Sequence, residues 1–253
     1  MPYNHARAWL EAKAESAAPK PIPPNKIAII SDIHSNLDAL DAVLKEIKES
    51  KCQLILCTGD IIGYATECNE CCEIVKKNAH VIVQGNHDAN VDFRRIEWFN
   101  PEAAAALRWT EAKLTRPNKA WLLGLPVEWY GQILGRKIYM VHGSPYDQLY
   151  GYVMPNTDRH TFRKWLNEKR AHIIIMGHTH IPFVEKMEQG LIINAGSVGQ
   201  PRDGNPKACW IELILDKLEA KIHRVSYNIE MTAEKILEQN LPAWLAERLY
   251  DGL

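Results

Sequence analysis

Short apolar runs that end in metal-binding side chains restrict the fold of this 253-residue chain more than any other feature. The runs are rich in Ile and Val, which is typical of strands that are covered on both faces. They end in Asp32 and His34, in Asp60, in Asn86, His87 and Asp88, in His142, and in His178 and His180. A buried strand has no structural need for such side chains at its tip, so their regular recurrence indicates one shared site.

Helical patterns lie between several of these runs. Apolar residues recur at helical spacing in 35–50 and again in 156–170, which predicts two amphipathic helices. The expected N-caps are Ser35 or Asn36 for the first helix and Asn156 or Thr157 for the second.

After about residue 182 the pattern changes to two hairpins, which are expected to turn at Gln189–Gly190 and Asp216–Lys217. An alternation of strands and helices followed by such a meander predicts an α/β fold in which two packed sheets are flanked by helices. In open α/β sheets ligands gather at the carboxyl ends of the strands. The polar tips of several strands are therefore expected to converge on one rim.

The composition, 46% hydrophobic and 24% charged with a formal net charge of −1, suits one large globular domain with a sizeable core. We assign that domain to 26–253, with C-terminal helices in 228–253, and expect a helical arm and proline-rich tether in 1–25. The near-zero charge gives no general attraction to nucleic acid or membrane. No apolar stretch could span a bilayer and the N-terminus lacks a signal peptide, which favours a cytoplasmic location.

The polar side chains at the strand tips form a donor set that suits metal ions. Side chains at i and i+2 of an extended chain point the same way, which pairs the two donors of the DIH segment and the two histidines of HTH. With Asp60, Asn86 and His142 they make seven N or O donors, whereas one tetrahedral metal needs about four. Seven donors with one shared carboxylate suit two adjacent cations that keep positions open for water and substrate.

The order DIH, GD, GNHD, HG and GHTH resembles the calcineurin-like metallophosphoesterases, over residues 26 to about 200. The later NAGSVGQPRDGNP and LPAWLAERL segments are similar to the small prokaryotic phosphoesterases of that superfamily. The resemblance implies a four-layer α/β/β/α sandwich of two mixed sheets flanked by helices. It also implies that a metal-bound hydroxide hydrolyses a phosphate ester.

The same resemblance implies a role for each donor. The first cation is held by Asp32, His34, Asp60 and His180, and the second by Asp60, Asn86, His142 and His178. Asp60 bridges the two, while His87 binds no metal and faces the scissile phosphate as an acid or electrostatic stabiliser. Asp88 is expected to orient His87 or a nearby ligand, or to solvate a helix start. A ligand set without thiolates favours Mn, Fe or Zn and does not choose among them.

The sequence also restricts the substrate. In the segment GDIIGYA, Gly63 and Tyr64 stand where protein phosphatases of this superfamily have aspartate and arginine, and Asp88 replaces their usual glutamate. These departures argue against a phosphoserine or phosphothreonine phosphatase. The expected substrate contacts are Tyr64, Asn86, His87 and Arg202. A dianionic monoester needs several cationic clamps and Arg202 is one candidate, so we expect a phosphodiester, with a monoester as the alternative.

Residues 89–130 leave room for a helical, cap-like insertion. Its aromatic residues have the helical spacing that favours a place in the core, and stacking on a nucleobase is the alternative. These residues are Trp98, Phe99, Trp109 and Trp121.

Three other functions compete with that of a small phosphoesterase. A nuclease needs a basic surface, which a net charge of −1 without a dense basic run disfavours. A non-catalytic binding relative is expected to have lost ligands, yet the whole set is retained. A purely structural metal site has little use for the weak ligand Asn86. The expected substrate is therefore a nucleotide or another small phosphate ester, and the sequence does not indicate an oligomeric state.

Overall fold

The strand β1 (Lys26–Ile30) lies at the centre of one sheet and sends its side chains into two different hydrophobic cores. In the computed structural model, which describes residues 25–253, Ile27 and Ile29 belong to one core and Ala28 and Ile30 to another. Successive side chains of a strand leave on opposite faces, so a strand with four consecutive apolar residues, Ile27 to Ile30, must be covered on both faces.

The first sheet has the strand order β10-β9-β1-β2-β3. Its other strands are β2 (Leu54–Cys57), β3 (Val81–Ile82), β9 (Ala208–Ile214) and β10 (Glu219–Val225). The strands β1, β2 and β3 are parallel to one another, whereas β9 is antiparallel to both β1 and β10. The sheet is therefore mixed.

The second sheet has the order β4-β5-β6-β8-β7 and is also mixed. Its strands are β4 (Glu128–Ile133), β5 (Arg136–Val141), β6 (Ile173–Met176), β7 (Phe183–Lys186) and β8 (Leu191–Asn194). β5, β6 and β8 run parallel, and the two edge strands are antiparallel to their neighbours. One buried core contains side chains from both sheets, among them Ile29, Leu213, Ile138 and Ile175, so the sheets pack face to face.

Helices cover the outer face of each sheet. Their bounds are α1 (Leu37–Glu49), α2 (Cys68–Asn78), the short α3 (Asn86–Ala89), α4 (Pro101–Lys113), α5 (Arg116–Leu123), α6 (Arg159–Glu168), α7 (Ile229–Glu238) and α8 (Trp244–Asp251), with a 3-10 turn at Ile96–Trp98. Residues of α1, α2, α4 and α5 pack on the first sheet, and α6 packs on the second. The predicted α/β sandwich of two mixed sheets flanked by helices is confirmed.

Two local predictions need correction. The helix α6 is capped by Asp158, whose carboxylate accepts the N–H of His160 at 3.0 Å, and not by Asn156 or Thr157. The strand β4 begins at Glu128, inside the segment predicted to be a helical insertion. By contrast α1 is capped by Asn36, one of the two expected residues.

Other expectations concern the chain's environment and its first residues. Within residues 25–253, no helix combines the length and the apolar character that crossing a bilayer would require. The predicted arm and tether in 1–25 lie outside the described residues, except for Asn25.

Cys68, Cys71 and Cys72 are buried on α2, and the candidate metal-binding groups found among the described residues contain no cysteine.

The two alternative caps of α6 give a direct test of the observed helix start. We expect Asp158→Ala to lower the free energy of unfolding by about 1 kcal/mol, because the first turn loses its side-chain acceptor. Asn156→Ala is the matched control and should leave it unchanged. Urea denaturation of both variants checks this, and an equal loss in the two would contradict the assignment of the cap.

Candidate metal centre

The predicted donors all follow the carboxyl ends of strands. Asp32 and His34 follow β1, Asp60 follows β2, Asn86 and His87 open α3 shortly after β3, His142 follows β5, and His178 and His180 follow β6. The contributing strands of each sheet are parallel, so their tips lie at one edge. The two edges meet, and these eight side chains are buried.

Direct contacts join the ends of the two sheets. Oδ2 of Asp60 lies 3.3 Å from Nε2 of His142 on the opposite sheet. Nδ1 of His142 lies 2.9 Å from the carbonyl oxygen of Thr58. The backbone N–H of His178 donates to Oδ2 of Asp32 at 3.0 Å. The loops after β1 and β2 are thus tied to those after β5 and β6.

Three groups of side chains have donor atoms within 4.8 Å of one another and could each hold a cation. They are Asp32, His34 and His180; Asp60, His142 and His178; and His34, Asp60 and His87. The first two correspond to the two predicted sites. Asn86 joins the second through Oδ1, which lies 3.0 Å from Nε2 of His142. The third contains His87, to which the resemblance gives no metal.

The histidine ring nitrogens at this rim are better suited to binding a metal than to hydrogen bonding with one another. Nε2 of His180 lies 3.1 Å from Nε2 of His34 and also 3.1 Å from Oδ1 of Asp32. Both ring nitrogens of His178 are buried without a hydrogen-bond partner in residues 25–253. Buried polar atoms are nearly always partnered. Cations would satisfy these nitrogens and carboxylates together, so the residues present fit divalent metals.

The backbone that carries these donors is unusual. Five of the seven predicted ligands have positive φ: Asp32 (50°), His34 (52°), Asp60 (51°), His178 (67°) and His180 (60°). A residue with a side chain loses about 1–2 kcal/mol in this left-handed region. Such strain persists where surrounding contacts enforce it, and it concentrates at functional sites. The donors therefore owe their directions to strained turns beyond the strand ends.

The protonation states of four of the donors suit metal binding. Burial alone raises the pKa of Asp32 and of Asp60, but neighbouring histidines, His180 and then His142 at Asp32 and His142 at Asp60, hold both values well below their usual range. Burial lowers the pKa of His178 to about 4 and that of His180 to about 3. Burial also opposes the charge on His142, but the two carboxylates raise its pKa to about 9. Ionised carboxylates and neutral imidazoles are the forms that bind cations, so Asp32, Asp60, His178 and His180 are already in those forms, whereas His142 must release its proton when a cation binds.

The ring of His87 packs closely against Gly63. The backbone N–H of His87 donates to Oδ1 of Asp60 at 2.8 Å, and the ring of His87 lies 4.7 Å from that of Tyr64. A Cβ on Gly63 would lie 2.4 Å from Nδ1 of His87, so an aspartate here would displace the ring. Nδ1 is buried with no hydrogen-bond partner among the described residues. Burial, outweighing the charge of Asp60, lowers the pKa of His87 well below its ordinary value.

Asp88 supports the loop that carries Asp60. Its Oδ1 accepts the backbone N–H groups of Ile61 at 2.9 Å and Ile62 at 3.3 Å, and its Oδ2 accepts that of Gly85 at 3.0 Å. Burial, followed by the charge of Asp60, raises the pKa of Asp88 to about 7. Asp88 thus contacts backbone next to a donor and at the start of α3, and it does not bond the His87 ring.

The loop of His178 and His180 is held close to that of Asp32. A Cβ on Gly177 would lie 2.1 Å from Oγ of Ser31 and 2.6 Å from Oδ2 of Asp32. Glycine is needed here to leave space for the opposite loop. Ser197 donates to the carbonyl oxygen of Asp32 at 2.6 Å, so the NAGSVG segment supports the same loop.

The donors open into a cavity of about 410 Å³. All four expected substrate contacts line it, namely Tyr64, Asn86, His87 and Arg202. The guanidinium of Arg202 donates to Oε1 of Gln200 at 2.8 Å and to the hydroxyl of Tyr64 at 3.1 Å. These bonds hold one cationic side chain at the wall of the cavity.

The cavity also contains residues that the sequence analysis missed. They are Asn100, Ala103, Tyr150 and Tyr152, together with Trp98, for which the sequence favours a core position. Phe99 lines the cavity too, and it also packs against two core clusters as predicted. Trp98 is 59% exposed, whereas Trp109 and Trp121 pack against core clusters as predicted. The tyrosine-rich segment YDQLYGY was a visible signal, but its spacing does not show that it folds over the donors.

Comparisons with known proteins all point to one protein family. Residues 26–216 match the model of the calcineurin-like phosphoesterase superfamily domain. An uncharacterized protein of Methanocaldococcus jannaschii is 38% identical over 245 residues, which cover 89% of this chain and 98% of that protein. Phosphodiesterase YfcE of Escherichia coli is 26% identical over 193 residues, covering 72% of this chain and 83% of YfcE.

The solved structures include a metallophosphoesterase from Sphaerobacter thermophilus. It superposes with a TM-score of 0.78 at 31% sequence identity, and the match covers 91% of this chain and 100% of that chain. A hypothetical protein from Pyrococcus horikoshii has a TM-score of 0.81 at 22% identity, covering 90% of this chain and 98% of that one. The second match shows the shared fold.

The left-handed backbone of His178 can be tested without any activity measurement. In metal-free protein we expect His178→Gly to be more stable than His178→Ala by about 1 kcal/mol, because only glycine adopts this φ without strain. Urea denaturation in EDTA measures the difference. At Ala105 in the middle of α4 the order should reverse, with Ala105→Gly about 0.5–1 kcal/mol less stable than the wild type. A more stable alanine variant at position 178 would contradict the strain.

Proposed function

The chain belongs to the calcineurin-like phosphoesterase superfamily and is a metal-dependent phosphoesterase, and we propose that it uses two divalent cations to hydrolyse phosphodiesters. The observation that carries the proposal is the position of Asp60. Its Oδ2 lies 3.3 Å from Nε2 of His142 and 3.7 Å from Nε2 of His34, one residue of each proposed site. A carboxylate between two sets of donors is suited to bridging two cations.

The two proposed sites follow from this bridge. We assign Asp32, His34 and His180 to one cation, and Asn86, His142 and His178 to the other, with Asp60 shared. When bound, the cations would lower the pKa of a water molecule to about 7 and so supply a nucleophile. The two buried carboxylates neutralise only half of the charge of two divalent cations, so the centre attracts an anion.

Side chains of the cavity wall supply the remaining functions. His87 projects its ring beside Asp60, where its N–H can donate a hydrogen bond to the leaving oxygen. Asn86 contributes an amide donor close to the same position, and Arg202, held by Gln200 and Tyr64, neutralises charge on the phosphate. The reaction then needs no nucleophilic serine or cysteine.

The preference for a diester rests on the limited positive charge of the wall. Arg202 is the one arginine or lysine among the described residues that line the cavity of the centre. A dianionic monoester is best held by several cationic donors, whereas a monoanionic diester needs fewer. A phosphomonoester is the competing substrate, and one measurement separates the two.

Two esters with the same leaving group test the proposed function. With Mn²⁺, Fe²⁺ or Zn²⁺ we expect bis-(p-nitrophenyl) phosphate to give a higher kcat/KM than p-nitrophenyl phosphate, with about two cations bound per chain by elemental analysis. Asp60→Asn should lose activity and bind fewer cations. A hundredfold preference for the monoester would contradict the diester assignment, and one cation per chain would contradict the dinuclear centre.

The proposed role of His87 gives a second prediction. His87→Asn should lower kcat by about 10²–10⁴-fold, since it removes a positioned proton or hydrogen-bond donor. The thermal shift produced by added Mn²⁺ should persist, because His87 is not a ligand in this proposal. His160→Asn, an exposed histidine of α6, is the control and should retain full activity. Loss of the Mn²⁺-induced shift in His87→Asn would instead make His87 a ligand.

A further inference from the structure

One wall of the cavity is aromatic and faces the proposed metal centre. Trp98, Phe99, Tyr150 and Tyr152 line the same 410 Å³ space as the donors. The side chains of Trp98 and Tyr152 are 59% and 68% exposed, although both are large and partly apolar. We refer to these four residues as the aromatic wall.

The wall begins directly beside the reacting position. The ring of Phe99 lies 4.9 Å from that of His87, edge to face, and the ring of Tyr152 lies 4.3 Å from that of His178. A phosphate held between the cations and His87 would therefore carry one of its ester groups along the wall.

Hydrogen bonds and ring contacts hold the wall in place before any ligand arrives. The amide of Asn90 donates to the hydroxyl of Tyr150 at 2.7 Å, and its oxygen accepts the backbone N–H of Arg95 at 2.9 Å. The rings of Trp98 and Tyr150 are 5.0 Å apart, and the guanidinium of Arg95 lies 4.3 Å from the centre of the indole. Rigid aromatic surface of this kind binds a ligand at a low cost in conformational entropy.

The exposure of Trp98 is difficult to explain by packing alone. Trp109 and Trp121 belong to the same stretch of chain, and both pack against core clusters. Trp98 remains exposed to solvent although Arg95 and Tyr150 contact it, and its exposed surface lines the cavity. An exposed apolar surface beside a polar site is typical of a ligand-binding surface.

Resting on the proposed function, we propose that the aromatic wall binds the base of a nucleoside phosphodiester. A base has π faces for stacking and a polar edge for hydrogen bonds. The wall offers rings for the faces and tyrosine hydroxyls for the edge, and Asn100, which also lines the cavity, offers an amide for the edge. The side-chain oxygen Oδ1 of Asn100 accepts the backbone N–H of Ala103 at 2.8 Å, which leaves the side-chain NH₂ as a donor. An acyl or alkyl ester would use none of these polar groups.

The size and charge of the site favour one nucleoside over a polymer. A cavity of about 410 Å³ is near the lower end of the range for small-molecule sites, about 300–1,000 Å³. A formal net charge of −1 gives no general attraction to a nucleic-acid backbone.

Two diesters with the same leaving group test the inference. With metal-loaded enzyme, thymidine 5′-(p-nitrophenyl phosphate) should exceed methyl p-nitrophenyl phosphate in kcat/KM by at least about tenfold, the size expected from one stacked base. The group that leaves is p-nitrophenolate in both, so the ratio reports on the group that stays. Trp98→Ala should reduce the ratio severalfold, and Trp98→Phe should restore most of it.

Trp244 on α8 provides the matched control, because it is 45% exposed and also lies near an arginine, Arg248. Trp244→Ala should keep the wild-type ratio, and circular dichroism should show that each variant is folded. A wild-type ratio near one, or a ratio that Trp98→Ala leaves unchanged, overturns the inference. If neither ester is hydrolysed with any of the cations, the proposed function fails. A binding measurement then tests separately whether the aromatic wall binds a base.

That measurement compares adenosine 5′-monophosphate with ribose 5-phosphate, which differ only by the base. Calorimetric titration of His87→Asn protein, in which turnover is slowed, should show adenosine 5′-monophosphate binding about tenfold more tightly. The additional Trp98→Ala change should remove most of this difference. Equal affinity for the two ligands overturns the inference, whatever the activity of the enzyme.

Discussion

The contact between Asp60 and His142 is the interaction on which the rest of the site depends. It joins the carboxyl edge of one sheet to that of the other at 3.3 Å, deep enough that water cannot screen the charges. A buried carboxylate is stable only with a positive partner or several hydrogen bonds. Asp60 has His142 as its positive partner and accepts a hydrogen bond from the backbone N–H of His87. The remaining donors lie close to Asp60 because they surround the same proposed cation sites.

Strain and support are combined at this rim. Five donors sit on left-handed backbone, while neighbouring loops are fixed by Asp88, Ser197 and the close approach of Gly177 to Asp32. The favourable packing of the two sheets and their flanking helices offsets the strain in these turns. The fold thus keeps the loops rigid, and the loops set the directions of the donor side chains.

Sequence reasoning succeeded where the information was local. The residues that follow each strand could be read directly, because a strand end and its polar tip are adjacent in the chain. The cap at Asp158, the strand β4 and the exposed position of Trp98 could not be read, because each depends on how distant segments pack. Tyr150 and Tyr152 show the same limit, since their place beside His178 is set by the path of a loop that no periodicity encodes.

Asn90 has a consequence for how the site responds to its ligands. Its amide donates both to the carbonyl oxygen of Asn86 and to the hydroxyl of Tyr150, each at 2.7 Å, while its oxygen accepts the N–H of Arg95. One side chain therefore connects a donor of the metal centre to the indole and phenol rings opposite. A ligand that displaces one end of this connection would disturb the other end, and thermodynamic linkage would make that coupling equal in both directions. Binding at the proposed metal centre and binding on the aromatic wall would then influence each other through Asn90.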